Sequence, residues 1–188
     1  MADVLLFHSV YGLRPGVLAA ADRLRDAGHR VVTPDLYAGA VTETLEEGFA
    51  LRDRIGLPVL LARSGEALGD LPSGGVLAGM SMGAAIAMEL GAADSRISGL
   101  ILLHGLGGTP EKVTPGLPVQ AHVTVADAGL DEIREWSRGL GDLGARAEVF
   151  RYEGGGHLYT DADLSDFHGP SADLTFDRCA AFLASLAR

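Results

Sequence analysis

The sequence predicts an α/β fold: a mainly parallel sheet of about six strands lies between two layers of helices, forming a three-layer sandwich with no cap domain. Two observations favour it. Short apolar runs alternate with segments of helical periodicity along the whole chain, as in a parallel sheet covered on both faces. The connections between the strands are short, so little chain is left for a cap. We therefore expect one domain over residues 1–188.

The first half of the chain begins this alternation. Residues 4–7 are apolar throughout, which is typical of a strand buried on both faces. A helix follows, because Pro15 suits a first helical turn and Gly28 suits the position just after the last turn. Pro34 ends the second strand. The expected elements are strands at 4–7, 30–33 and 76–78, and helices at 15–27, 45–55, 59–68 and 84–90.

The second half continues the alternation more regularly. Strands are expected at 100–103, 119–125 and 146–152, with helices at 131–140 and within 171–187. Two long loops, 105–118 and 154–170, interrupt the pattern. Long loops inside compact domains are often functional, so both are candidates for parts of a binding site.

Composition excludes several classes of function. The formal net charge of −10 argues against a nucleic acid or an anionic membrane as partner. Cys179 is the only cysteine, so no intrachain disulfide can form, and no Cys/His spacing resembles a zinc site. No apolar stretch reaches the roughly 18 residues of a membrane span, and the first residues lack the basic region of a signal peptide. We expect a cytoplasmic protein, either a monomer or a homodimer.

Residues 79–83, Gly-Met-Ser-Met-Gly, are the most informative segment of the chain. They follow an apolar strand and open into an alanine-rich helix, which is the layout of a nucleophile elbow. Glycines two residues on either side of the serine avoid collisions with the neighbouring strand and helix at this strained turn. Glycine is frequent in this chain, so the pattern alone is weak evidence. Its position between strand and helix makes Ser81 a candidate nucleophile.

Polar groups after other expected strands complete a candidate site at the carboxyl edge of the sheet, where ligands bind in parallel sheets. Asp127 follows the fifth strand and His157 the sixth, which gives the chain order serine, aspartate, histidine. A serine hydroxyl needs a base to take its proton, an imidazole supplies one, and a carboxylate orients that imidazole. The backbone N–H groups of Met82 and, in the loop after the first strand, Val10 would bind the developing oxyanion.

Each assignment has an ordinary structural alternative. Ser81 could be a polar residue of a tight turn, and His157 a histidine of a surface loop. Asp131 lies four residues after Asp127, and either carboxylate could cap the helix that follows or orient the histidine. His104 ends the fourth strand, where it either faces the pocket or is a hydrogen-bonded structural histidine.

An acidic cluster near the end of the chain matches no calcium-binding loop, so we interpret it as a solvated surface. Its members are Asp161, Asp163, Asp166, Asp173 and Asp177. Cys179 lies among apolar residues of the last helix and is expected to be buried and inert. His122 lies in the middle of a strand and is expected to be hydrogen-bonded within the core or at the sheet edge.

Several segments together resemble the dienelactone hydrolase family of α/β-hydrolases, in particular its short bacterial members. The resemblance extends over nearly the whole chain and is carried by residues 8–13 (HSVYGL), 15–17 (PGV), 33–37 (TPDLY), 79–83 (GMSMG) and 155–157 (GGH). It implies the strand order 2-1-3-4-5-6. It also implies Ser81, Asp127 and His157 as a catalytic triad, with Met82 and Val10 as oxyanion donors.

Three positions depart from the founding enzymes of that family. Ser81 stands where they have a cysteine, and Ser9 stands where they have a glutamate that helps to control that thiol. Asp161 stands where they have an arginine that binds the substrate carboxylate, and an aspartate there would repel such a group. The resemblance therefore supports the hydrolase machinery more strongly than the founding reaction.

The sequence favours a serine hydrolase that cleaves a small ester, lactone or thioester through an acyl-enzyme on Ser81, without a metal or organic cofactor. The expected substrate-binding residues are Ser9, Tyr11, Tyr37, Leu106 and Tyr159. A second hypothesis is a hydrolase-fold binder of a small molecule or protein that has lost turnover. A third is a transferase or lyase that uses the same three side chains.

Overall fold

A six-stranded parallel sheet forms the centre of the molecule. The computed structural model describes residues 1–186; Ala187, expected at the end of the last helix, lies outside the described residues. The strand order is β2-β1-β3-β4-β5-β6 and every neighbouring pair is parallel, which confirms the predicted order. The strands are β1 (Asp3–Phe7), β2 (Arg30–Val32), β3 (Gly75–Met80), β4 (Ile97–Leu103), β5 (Pro118–Thr124) and β6 (Arg146–Tyr152).

Helices cover both faces of this sheet, which confirms the three-layer α/β architecture. They are α1 (Pro15–Asp26), α2 (Leu45–Ile55), α3 (Leu57–Gly69), α4 (Met82–Gly91), α5 (Leu130–Asp142) and α6 (Gly169–Leu186). The buried apolar residues form two clusters, one beneath α1 and α6 and the other beneath α2 to α5. None of the helices within residues 1–186 has the length and hydrophobicity needed to span a membrane.

Successive residues of each central strand enter opposite clusters, because side chains alternate across a strand. In β1, Leu5 and Phe7 pack beneath α2 to α5, whereas Val4 and Leu6 pack beneath α1 and α6. This burial on both faces explains why the strands are continuously apolar in sequence.

Two strands are longer than the sequence predicted, because glycines that interrupt their apolar runs nevertheless belong to the strands. The expected strands 76–78 and 100–103 extend to Gly75–Met80 and Ile97–Leu103. Gly99 interrupts the apolar run in the sequence but still pairs with β3. A side chain there would crowd α6, since a Cβ would lie 2.6 Å from Leu186 Cδ1. The space left by a missing side chain is therefore used for close contact between helix and sheet.

Helices α2 and α3 form a hairpin with almost no loop. Thr44 and Glu47 make a capping box at the start of α2, in which each side chain accepts a hydrogen bond from the other residue's backbone. Gly56, with φ of 89°, is the single residue between the two helices. Pro58 lies in the first turn of α3, so that helix begins at Leu57 instead of the expected residue 59.

Candidate active site

The turn between β3 and α4 presents Ser81 in an uncommon backbone conformation. Its φ is 53° and its ψ is −108°. A positive φ is strained for a residue with a side chain and clusters at functional sites. The neighbouring strand fixes the turn, because the backbone N–H of Ser81 donates to the carbonyl of Leu103 at 2.8 Å. The serine is therefore held at the carboxyl edge of the sheet, as the elbow motif predicts.

The two glycines of the motif are required by close backbone contacts. A Cβ on Gly79 would overlap the carbonyl oxygen of Gly83. A Cβ on Gly83 would overlap the carbonyl oxygen of Phe7, at the end of β1. Backbone atoms of a helix or a paired strand cannot move aside as a flexible side chain can, so both positions exclude any residue larger than glycine.

A chain of short hydrogen bonds joins three residues that are distant in sequence. Ser81 Oγ lies 2.8 Å from His157 Nε2, and His157 Nδ1 lies 2.6 Å from Asp127 Oδ1. The other carboxylate oxygen, Oδ2, accepts hydrogen bonds from the backbone N–H and the hydroxyl of Thr124, both at 2.9 Å. Asp131 is not part of the chain: its side chain is 97% exposed and pairs with Arg134. Of the two candidate aspartates, Asp127 is therefore the one that contacts the histidine.

The surroundings of Asp127 favour its ionised form. Its side chain is 9% exposed, and burial alone would raise the pKa of the carboxyl. The hydrogen bonds from His157 and Thr124 outweigh burial and hold the pKa of Asp127 below its usual range. An ionised carboxylate at this place fixes the ring orientation of the histidine and stabilises an imidazolium. His157 is 43% exposed, so its ring is open to solvent or to a bound molecule.

Asp166 holds the backbone on both sides of the histidine. Its carbonyl oxygen accepts from the N–H of Gly156 at 2.9 Å, and its carboxylate accepts from the N–H of Leu158 at 3.0 Å. A Cβ on Gly156 would overlap this carboxylate. The expectation that Asp166 belongs to a merely solvated surface is therefore wrong. This role could not be predicted from the sequence, because the two N–H groups that Asp166 binds belong to residues in an earlier part of the same loop.

Asp161 is also buried, which corrects the same expectation. It is 8% exposed and lies 3.8 Å from the Nε of Arg14, which is equally buried. Arg14 follows the loop after β1 and also donates to the carbonyl of Thr42 at 3.2 Å. The space for the carboxylate exists because Gly16 has no side chain. This ion pair connects the loop that carries Val10 to the loop that carries His157.

Val10 and Met82, the two residues expected to supply oxyanion donors, belong to different elements. Met82 is the first residue of α4, where the N–H groups lack helical partners and the helix dipole favours negative charge. Val10 belongs to the loop after β1. Within residues 1–186 neither N–H donates to an acceptor in the protein. Val10, Ser81 and Met82 line one cavity, so both groups can approach a molecule bound at the serine.

That cavity has a volume of about 740 Å³ and extends from Ser81 to the α2–α3 hairpin. Its apolar wall was not expected from the sequence. It consists of Phe49, Leu57, Leu61, Ala85, Ile86 and Met88, and residues 107–110 also line the cavity. Helical periodicity in α2 and α3 predicted which side chains form an apolar face. It could not predict which part of the protein that face would lie against.

The five residues expected to bind substrate do not line this cavity. Tyr159 is fully buried and its hydroxyl bonds Thr175, so the expectation that it contacts substrate is wrong. Ser9 is also buried, and its hydroxyl accepts from the N–H of Tyr11. Tyr37 lies behind the wall, with its hydroxyl 3.5 Å from the sulfur of Met82.

The other two predicted residues lie at the margins of the site. Leu106 lines a separate cavity of about 540 Å³ beside Asp127. Tyr11 is half-buried, with the guanidinium of Arg14 5.4 Å from its ring centre. None of the five is among the residues that line the cavity at Ser81.

Two further histidines are buried structural groups. His104 ends β4 with φ of 62°, and its Nε2 lies 2.9 Å from the hydroxyl of Thr160. Its ring centre is 6.2 Å from that of His157. Burial lowers the pKa of His104 to about 3, so this ring is uncharged at neutral pH. His122 is buried in β5 and bonds Tyr152 and Gln120.

Neither a metal site nor a reactive thiol is found among residues 1–186. No group of three or more His, Cys, Asp or Glu residues within the described part of the chain is arranged to hold a metal ion. Cys179 is buried, and burial raises the pKa of its thiol, so the sulfur remains protonated.

Solved structures share this fold at low sequence identity. A protein from Klebsiella pneumoniae provisionally described as a dienelactone hydrolase has a TM-score of 0.77 and 16% identity, over 98% of this chain and 87% of its own. A dienelactone hydrolase-like promiscuous phosphotriesterase from metagenomic libraries has a TM-score of 0.69 and 13% identity, over 99% and 87%. Esterase PE8 has a TM-score of 0.66 and 20% identity, over 98% and 92%. No curated protein sequence matches the chain.

The parallel sheet, the strained elbow and these neighbours define an α/β-hydrolase fold. A family model assigns the chain more narrowly, since it matches residues 2–186. The protein belongs to the dienelactone hydrolase family, as its motifs indicated, and this membership supports an ester hydrolase.

Proposed function

We propose that the protein is a serine hydrolase that cleaves a small carboxylic ester, lactone or thioester through an acyl-enzyme on Ser81. The observation that carries the proposal is the hydrogen-bonded chain from Ser81 Oγ through His157 to Asp127, with distances of 2.8 and 2.6 Å. Nucleophile, base and orienting carboxylate within such distances are the arrangement of serine hydrolases on unrelated folds.

The geometry supports each step of the reaction. Ser81 Oγ attacks the carbonyl carbon of the substrate while His157 Nε2 takes its proton. The oxygen of the tetrahedral intermediate then accepts hydrogen bonds from the N–H groups of Val10 and Met82. His157 returns the proton to the leaving oxygen or sulfur as the bond to carbon breaks. Water, deprotonated by the same nitrogen, hydrolyses the acyl-enzyme and frees the serine.

The electrostatic role of Asp127 follows from its contacts. The imidazole gains a positive charge when it takes the proton, and the ionised carboxylate 2.6 Å away stabilises that charge. The hydrogen bond also holds Nδ1 protonated, so that Nε2 faces the serine as an acceptor.

Removal of the nucleophile tests the proposal. We expect Ser81→Ala to reduce the turnover of 4-nitrophenyl acetate by at least a thousandfold and to abolish covalent labelling by a fluorophosphonate probe. Ser165→Ala changes an exposed serine of the loop after β6, and we expect it to retain turnover and labelling. Wild-type protein that is neither labelled nor active would favour the binder without turnover. An active Ser81→Ala protein would refute the assignment of the nucleophile.

A further inference from the structure

The cavity beside Ser81 has a shape and chemistry that distinguish the two halves of an ester. Most of its wall is apolar and comes from α2, α3 and α4. Its volume of about 740 Å³ lies within the roughly 300–1,000 Å³ typical of small-molecule sites. Phe49 and Leu57 line it and remain substantially exposed. Covering exposed apolar side chains with an apolar ligand is favourable, so the wall favours a hydrocarbon group.

The position of the base decides which half of the substrate this group belongs to. The leaving oxygen must lie within hydrogen-bonding distance of His157 Nε2 to receive its proton. His157 does not line the cavity, whereas Ser81, Val10 and Met82 do. The leaving group therefore points towards the histidine, and the substituent on the other side of the carbonyl carbon points along α4 into the cavity. That substituent is the acyl chain.

The charges near the cavity restrict the end of this chain. Arg52 and Asp53 lie 2.6 Å apart, so their charges largely cancel, and the guanidinium also covers the ring of Phe49 at 4.7 Å. Glu89 is the remaining charged residue of the wall and is exposed. A chain that ends in a carboxylate would be repelled by Glu89, whereas an uncharged hydrocarbon end would not.

We propose that the α2–α3 side of the cavity is an acyl-binding site for an uncharged, apolar acyl chain. This inference rests on the proposed serine hydrolase function and adds the substrate class. It places specificity on the acyl half of the ester.

Two isomeric esters test which half is recognised. Ethyl octanoate and octyl acetate have the same composition and nearly the same hydrophobicity, but the long chain is in the acyl half of the first and in the alcohol half of the second. Each methylene buried in the cavity raises kcat/KM about fourfold. We expect kcat/KM for ethyl octanoate to exceed that for octyl acetate by at least tenfold. Equal values, or a preference for octyl acetate, would overturn the proposal.

A substitution in the wall tests where the chain binds. Ala85 lies one turn after Ser81 on α4, is exposed and lines the cavity, so Ala85→Trp fills it without entering the core. We expect the ratio of kcat/KM for 4-nitrophenyl octanoate to that for 4-nitrophenyl acetate to fall by at least tenfold. Ala62→Trp, at an exposed position of α3 outside the cavity wall, should leave the ratio within twofold of wild type.

The outcomes separate this proposal from the one on which it rests. An unchanged ratio in a folded Ala85→Trp protein overturns the acyl site and leaves the serine hydrolase intact. Wild-type protein that hydrolyses neither nitrophenyl ester and is not labelled by the fluorophosphonate refutes the hydrolase itself. The isomer comparison uses wild-type protein only, so it decides the acyl site even if Ala85→Trp does not fold.

Discussion

The buried pair of Arg14 and Asp161 connects two loops of the candidate site, and we expect its loss to destabilise the protein. The perturbation is Asp161→Asn, which keeps the shape of the side chain and removes its charge. Within residues 1–186, Arg14, which is 8% exposed, would then have no carboxylate nearer than that of Glu43, whose side chain is largely in solvent. Removing one partner of a buried ion pair leaves an uncompensated charge, which is costly.

The magnitude follows from the separation of the charges. Two unit charges at 3.8 Å interact by about 4 kcal/mol at an effective dielectric constant near 20, which is an upper limit for the effect. Glu43, 4.0 Å from the same guanidinium, and the hydrogen bond from Arg14 to Thr42 offset part of the loss. We therefore expect Asp161→Asn to lower the free energy of unfolding by about 2 kcal/mol. For a chain of this size, that lowers Tm by about 4–8 °C.

Urea denaturation and thermal unfolding, followed by circular dichroism, measure this effect. Asp163→Asn is the matched control, because Asp163 is exposed two residues further on, and its free energy of unfolding should stay within about 0.5 kcal/mol of wild type. A double-mutant cycle with Arg14→Met isolates the pair and should give a coupling energy of about 2 kcal/mol. A coupling near zero, or an Asp161→Asn protein as stable as wild type, would refute the reasoning.

Three further predictions concern the carboxylate and the elbow. Asp127→Asn should lower kcat for 4-nitrophenyl acetate at least a hundredfold, because the carboxylate that orients His157 is lost. Asp131→Asn should leave kcat unchanged. Equal effects of the two substitutions would contradict a special role for Asp127. Because the pKa of Asp127 is lowered in the folded state, its carboxylate adds stability that is fully present above the unfolded pKa of about 3.9 and is lost as the pH falls through the folded value. The difference in Tm between Asp127→Asn and wild type should therefore shrink between pH 6 and pH 3 in thermal scans. Gly83→Ala should lower the free energy of unfolding by about 3 kcal/mol or prevent folding, since its Cβ would overlap the carbonyl of Phe7. Gly65→Ala, in an open part of α3, is the control and should raise the free energy of unfolding by about 0.5–1 kcal/mol in urea denaturation. A Gly83→Ala protein as stable as the wild type would contradict the overlap.

Features that depend on residues close together in the chain could be predicted from the sequence. Apolar runs predicted the strands, because a strand buried on both faces needs apolar side chains along its whole length. The order of the six strands is the one that the family resemblance implied. The elbow was identifiable because its five residues are consecutive in sequence, between an apolar strand and an alanine-rich helix. The serine, aspartate and histidine follow β3, β5 and β6, and their approach could be anticipated because the carboxyl ends of parallel strands share one edge of the sheet.

Features that depend on distant partners could not be predicted. Asp161 looked like a surface charge because its partner, Arg14, lies near the other end of the chain. Tyr159 follows the histidine closely and so looked like part of the pocket, but the loop turns inward there and its hydroxyl binds Thr175 on α6. Phe49 and its neighbours in the wall of the cavity were recognisable as apolar, but only the docked position of the hairpin shows which surface they form.

The tight fit around the elbow has a consequence for how this site changes during evolution. Position 81 already carries a side chain that borders an open cavity, so exchanging its oxygen for sulfur alters one atom and leaves the backbone in place. Gly79 and Gly83 have no such freedom, because any added carbon meets main chain. The backbone packing therefore restricts substitution at the two glycines more strictly than at the serine between them.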